Sequence, residues 1–168
     1  MAHSLAELNQ MSQTEFTAYL GDVFEHTPEI AQQAWQARPF NSLDQLHQAM
    51  LAVVNQLSSE AQLALIRAHP DLGSRAKMAE ASVQEQSGAG LNQLTPDEYE
   101  RIQALNAAYR QKFEFPLIIA VKQQTKAAIF EAFEQRLAHE LETERQRALA
   151  EIGQIAKFRL HARVDSEA

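Results

Sequence analysis

The run His69-Pro70-Asp71-Leu72-Gly73, followed by Ser82, Glu85 and Gln86, gathers the residue types that handle protons and amides. Pro70 disfavours helical geometry at the residue before it, so a helix arriving from the N-terminal side ends near Ala68 or His69. The imidazole then sits at a helix C-terminus, where the dipole favours its protonated form. That placement suits a proton donor working near neutral pH. It suits a C-terminal capping side chain equally well. Ser82, Glu85 and Gln86 are spaced to share one helical face, offering donors and acceptors to an amide-rich ligand, or simply forming a solvated helix end. Arg159 is a third anomaly. Ala148, Ile152, Ile155 and Ala156 define a buried stripe, and position 159 continues it. An arginine there must snorkel out or meet an acidic or carbonyl partner.

The elements that position these residues are almost all helical. Ser12 with Glu15 reads as a capping box opening a helix whose stripe is Phe16, Tyr19, Leu20, Val23 and Phe24. Thr27-Pro28 reads as a helix start, and that helix stops at Arg38-Pro39. Ser42 opens the next, striped by Leu46, Met50, Val53, Val54 and Leu57, and Ser59 with Gln62 opens the one that ends at His69. A helix is expected around 76–87. Thr95-Pro96-Asp97-Glu98 starts another, with Ile102, Leu105, Tyr109 and Phe113 along it. Buried Asn106 is read as a tie between helices. Phe115-Pro116 and the run Leu117, Ile118, Ile119, Ala120 and Val121 are strand-like, but nothing else in the chain pairs with them. They read as an extended buried connector. From Thr125 to about Ala162 the pattern gives two helices with a break near His139–Thr143. The expectation is one all-α domain over 1–168, a bundle of about eight helices.

Composition narrows the function classes. A chain of 168 residues suffices for one domain with a real core. The net charge of −7 argues against nucleic acid or an anionic membrane as the main partner. Without cysteine, disulfides, thiolate metal sites and cysteine nucleophiles are excluded. The six histidines show no H-x-x-x-H or H-E-x-x-H spacing, so no metal site is expected. There is no phosphate-cradling glycine loop and no G-x-S-x-G elbow. Met1–Gln10 lacks a signal pattern and no apolar run approaches membrane-spanning length, giving a cytoplasmic expectation.

Taken together the chain resembles the OHCU decarboxylase family, which acts on 2-oxo-4-hydroxy-4-carboxy-5-ureidoimidazoline in urate breakdown. The resemblance runs through Phe24-Glu25-His26, Arg38-Pro39-Phe40, the 69–73 and 82–86 motifs and Ala89-Gly90-Leu91. It continues through Leu105-Asn106-Ala107-Ala108-Tyr109, Phe115-Pro116, Arg136-Leu137, Glu144 and Arg159-Leu160. It implies an all-helical enzyme, working as a homodimer without metal or organic cofactor, that yields (S)-allantoin. It implies His69 and Glu85 as catalytic groups. The substrate-binding set is Pro70, Ser82, Gln86, Arg159 and the backbone of Leu117, Ile118, Ile119 and Ala120. That role gives the orphan extended run a purpose, because its N–H and C=O groups can meet ring and ureido amides.

Two positions depart from the family pattern. Glu114 stands where glycine is usual, and Leu117 replaces a common phenylalanine. Two other classes remain open on the residues alone. A metal-dependent hydrolase of ureido compounds predicts activity abolished by chelators. A helical interaction module predicts an exposed apolar helix face and no convergence of His69, Glu85 and Arg159.

Overall fold

The computed structural model describes residues 2–73, 80–122 and 124–165, with the side chains of 80–83 outside the described set. Among these residues the architecture is all-α. Nine α-helices and one 3₁₀ turn are joined by a two-residue parallel bridge, His3–Ser4 against Val164–Asp165. The chain divides into two compact units, Met1–Leu65 with Gly153–Ala168, and Ile66–Ile152.

The first unit opens with α1, Leu5–Gln10, a short helix the sequence pattern does not reveal. It carries a complete capping box between Ser4 and Glu7. In α2, Gln13–Leu20, Ser12 accepts from Glu15 N–H, so only one arm of the predicted box forms. The stripe predicted to reach Phe24 ends four residues earlier. A Cβ at Gly21 would meet the Thr17 carbonyl at 2.4 Å and Pro28 at 3.1 Å, so glycine lets the chain turn tightly there. Val23 and Phe24 stay buried, but on turns. α3, Glu29–Ala34, has no side-chain cap. The Thr27 hydroxyl instead donates to the Glu25 carbonyl at 2.8 Å. α4, Leu43–Gln56, is capped by Ser42 as expected. α5, Ser59–Arg67, is capped by Ser58 rather than Ser59, with the Ser58 hydroxyl accepting from Ala61 N–H. The unit's core includes Leu8, Phe16, Leu20, Leu46 and Met50, all withdrawn from water, each burial stabilising by about 1.5–3 kcal/mol.

The second unit contains α6, Glu80–Gly88, and α7, Pro96–Phe113. It also contains α8, Lys126–Arg136, and the start of α9, Leu141–Arg163. Thr95 and Glu98 form the full capping box that opens α7. The break between α8 and α9 falls at 137–140, close to the predicted place. Tyr109 packs on Phe113, Phe115 and Phe133 at ring-centroid distances of 4.5, 5.9 and 6.5 Å. Residues 116–121 are buried and take no regular secondary structure, the connector expected from their lack of a partner strand.

α7 ends on Glu114, which adopts the left-handed conformation, φ 64° and ψ 23°. Glycine reaches this region without a Cβ clash, and glutamate does not. Glu114→Gly is therefore expected to stabilise the protein by about 1 kcal/mol. Thermal unfolding should show a rise of about 2–4 °C. An unchanged or lower melting temperature would mean that the turn bears no such strain.

Candidate functional site

His69 lies two residues beyond α5 and is buried, with 6% of its surface exposed. Its N–H donates to the Ile66 carbonyl at 3.2 Å, so the helix end and the imidazole are one local structure. Pro70 follows, partly exposed. The turn 70–73 is then held from several sides. The Gln86 amide oxygen accepts from Gly73 N–H at 2.9 Å, and the Asn106 amide donates to the Leu72 carbonyl at 2.9 Å. The Arg110 guanidinium donates to the Asp71 carboxylate at 2.7 Å. Gly73 has φ 67°, and a Cβ there would press on Leu94 and Ile102 at 3.1–3.2 Å. That leaves glycine as the residue for this corner.

α7 acts as a rail for this turn. Asn106 and Arg110 stand one helical turn apart and hold Leu72 and Asp71 in succession. Past its end, the Glu114 carbonyl accepts from Arg67 at 3.0 Å. Asn106 therefore joins a helix to the His69 turn rather than a helix to a helix. Its remaining side-chain oxygen is buried without a partner among the described residues.

The structure thus brings the 69–73 and 82–86 motifs together through Gln86. Because the Gln86 oxygen is committed to Gly73, this residue shapes the turn. Glu85 precedes it on α6, partly buried. Ser82 belongs to the same helix, and its side chain lies outside the described residues.

The extended run is buried throughout, with Leu117, Ile118, Ile119 and Ala120 between 1% and 7% exposed. Two of its backbone groups have protein partners. The Ile118 carbonyl accepts from Arg136 at 2.5 Å, and Ala120 N–H donates to the Glu151 carboxylate at 3.2 Å. Those two backbone groups are therefore engaged within the protein.

Arg159 belongs to the first unit. It is buried, not snorkelled, with 4% exposure. Its guanidinium donates to the carbonyls of Asp22 and Val23 at 3.1 and 3.3 Å. It also pairs with the fully buried Glu25 carboxylate at 3.3 Å. The sequence reasoning placed Arg159 correctly on a buried stripe but missed its counter-ion. Glu25 lies in the turns after α2, where no helical period marks a buried position.

A second missed group is centred on Glu144. Its carboxylate accepts from Tyr109 at 2.5 Å and from Arg136 at 2.8 Å, and meets His139 at 2.7 Å. Burial and the adjacent carboxylate push the Tyr109 phenol far above its ordinary range, so it stays protonated and donates.

The OHCU decarboxylase family model matches residues 9–161, spanning both motifs, the extended run and Arg159. The chain belongs to the OHCU decarboxylase family. It is 45% identical over 157 residues to the 2-oxo-4-hydroxy-4-carboxy-5-ureidoimidazoline decarboxylase of Halalkalicoccus jeotgali, covering 94% of this chain and 89% of that one. The identically named protein of Haloferax volcanii is 43% identical, with 98% of each chain covered. Among solved structures, an (S)-allantoin synthase superposes with a TM-score of 0.80 at 31% identity. The match covers 96% of this chain but only 54% of that longer one. The buried imidazole and the turn held by Gln86, Asn106 and Arg110 are the part of the candidate site that these contacts assemble. No single helix among the described residues is long and apolar enough to cross a membrane.

Proposed function

We propose that this chain is a cofactor-independent carboxy-lyase converting 2-oxo-4-hydroxy-4-carboxy-5-ureidoimidazoline to (S)-allantoin, late in urate degradation. The observation that carries the reading is the buried His69 on a turn pinned by Gln86, Asn106 and Arg110, in a chain of this family. The names borne by its relatives, one for the substrate and one for the product, support the two ends of the reaction.

The chemistry asks little beyond placement and proton handling. The pair freed from the bond to the carboxylate forms a double bond to the neighbouring ring carbon. Carbon dioxide leaves, and that carbon's imine π pair moves onto nitrogen, which takes up a proton from solvent, so the ring is its own electron sink. A proton then reaches the former imine carbon from one face, and the hydroxyl gives up its proton as the ring carbonyl forms. His69 is assigned the proton transfers at the hydroxyl and carboxylate end. Glu85, with Ser82, binds ureido or ring N–H groups, and Gln86 and Pro70 shape the wall. The backbone of the extended run meets the amides. Arg159, oriented by Glu25, supplies the cation for a substrate oxygen. A single domain over 1–168, a homodimer and a cytoplasmic location complete the proposal, and light scattering after size exclusion decides the dimer.

The test generates the unstable substrate in situ from urate and follows circular dichroism of the allantoin formed. Optical activity above the racemic, spontaneous background is expected, and a racemic product at the uncatalysed rate would sink the reading. Within it, Arg159→Gln should raise KM about tenfold or more through loss of one charged hydrogen bond. Since this strands Glu25 in the interior, the companion Glu25→Gln is made with it. An unchanged KM in the folded double variant would leave Arg159 a purely structural group.

A further inference from the structure

Arg136 and Glu144 form a buried ion pair apart from the His69 turn, with side-chain exposures of 3% and 0%. Such a pair is weak evidence for stability, since desolvation cancels much of the attraction. Its geometry suggests a different use. One guanidinium nitrogen is held by Glu144, and another ends on the Ile118 carbonyl in the middle of the extended run. Two residues on, Ala120 N–H is taken by Glu151. Alternate residues of the run, Ile118 and Ala120, are thus each tied through the backbone to a side chain on a different helix. The backbone groups of Leu117 and Ile119 are buried and have no hydrogen-bond partner among the described residues.

We propose that Arg136, clamped by Glu144, is a positioning residue that fixes the register of the run so that Leu117 and Ile119 present their N–H and C=O groups to the substrate's amides. The inference rests on the decarboxylase reading and deepens it. Arg136 does not touch substrate. It sets which backbone groups are free to do so, and Glu151 holds a second point two residues further along.

The test removes both charges together, in Arg136→Met/Glu144→Gln, so that no lone ion is left inside. Glutamine can still accept from Tyr109. Hydrogen–deuterium exchange of the full-length protein without substrate should then speed about tenfold or more over 115–122, while α7 changes little. With substrate generated in situ, KM should rise about tenfold or more with kcat far less affected, because the run binds and does not react. Arg136→Lys, too short to reach Glu144 and Ile118 together, should fall between. It carries the same measurements if the double variant does not fold. Unchanged exchange at 115–122 overturns the assignment, as does a lower melting temperature with unchanged KM, the mark of a merely structural pair. If the wild-type protein gives only racemic allantoin, the decarboxylase reading fails. The exchange measurement still decides whether Arg136 sets the run.

Discussion

His69→Asn is expected to leave a folded protein whose rate of (S)-allantoin formation falls by about 10²–10⁴-fold, the usual worth of a positioned acid or base. Asparagine keeps much of the polar volume but carries no proton that titrates near neutrality. The turn should survive, because its ties run through other groups. Gln86 holds Gly73, Asn106 holds Leu72, Arg110 holds Asp71, and the His69 backbone N–H holds Ile66. Far-ultraviolet circular dichroism and melting should therefore stay close to wild type, within about 1 kcal/mol. Should His69→Asn produce one allantoin enantiomer at the wild-type rate, His69 is a helix cap and the proton comes from elsewhere.

The largest loss of stability is expected at Glu144. Its carboxylate, 0% exposed, serves Arg136, Tyr109 and His139 at once. Glu144→Ala leaves a buried guanidinium with no counter-charge and a buried phenol with no acceptor. Breaking one side of a buried pair costs about 3–5 kcal/mol, which lowers the melting temperature by about 10 °C in a chain of this size. Removing both charges, as in Arg136→Met/Glu144→Gln, should cost far less, because no ion is stranded. The contrast is the measurement. If alanine at 144 melts no lower than the neutral pair, the carboxylate is not compensating a buried charge.

The helices were legible in the sequence wherever an apolar stripe coincided with a good cap, as at Ser42 and Thr95. They were not where the chain is short or turned by glycine. α1 has only six residues and one buried side chain, Leu8, too little for a period to show. The end of α2 was misplaced because Val23 and Phe24 continue the spacing while Gly21 has already broken the helix. The reasoning that singled out Arg159 applied unchanged to two other positions. Arg136 continues the stripe of Ile129 and Phe133 on α8, and Glu144 stands four before Ala148 on α9. A charge on a buried stripe calls for an opposite charge, and these two are each other's. Glu25 carried no such signal, because turns have no period. The tie between the two motifs, Gln86 to Gly73, joins a side chain to a backbone N–H, and residue types do not encode that pairing.

Recognition by main chain, as proposed for 117–120, has an evolutionary consequence. A side-chain donor is lost with one substitution, whereas an N–H or C=O survives every replacement except proline, which deletes only the N–H. Leu117, in place of the phenylalanine that the family resemblance leads one to expect, would leave the peptide groups unchanged. Drift at these positions can remodel the contour of the wall without erasing the pattern of donors and acceptors. On that proposal, inheritance of the pattern depends less on the four residues that display it than on Arg136 and Glu151, which hold Ile118 and Ala120, and on Glu144, which holds Arg136.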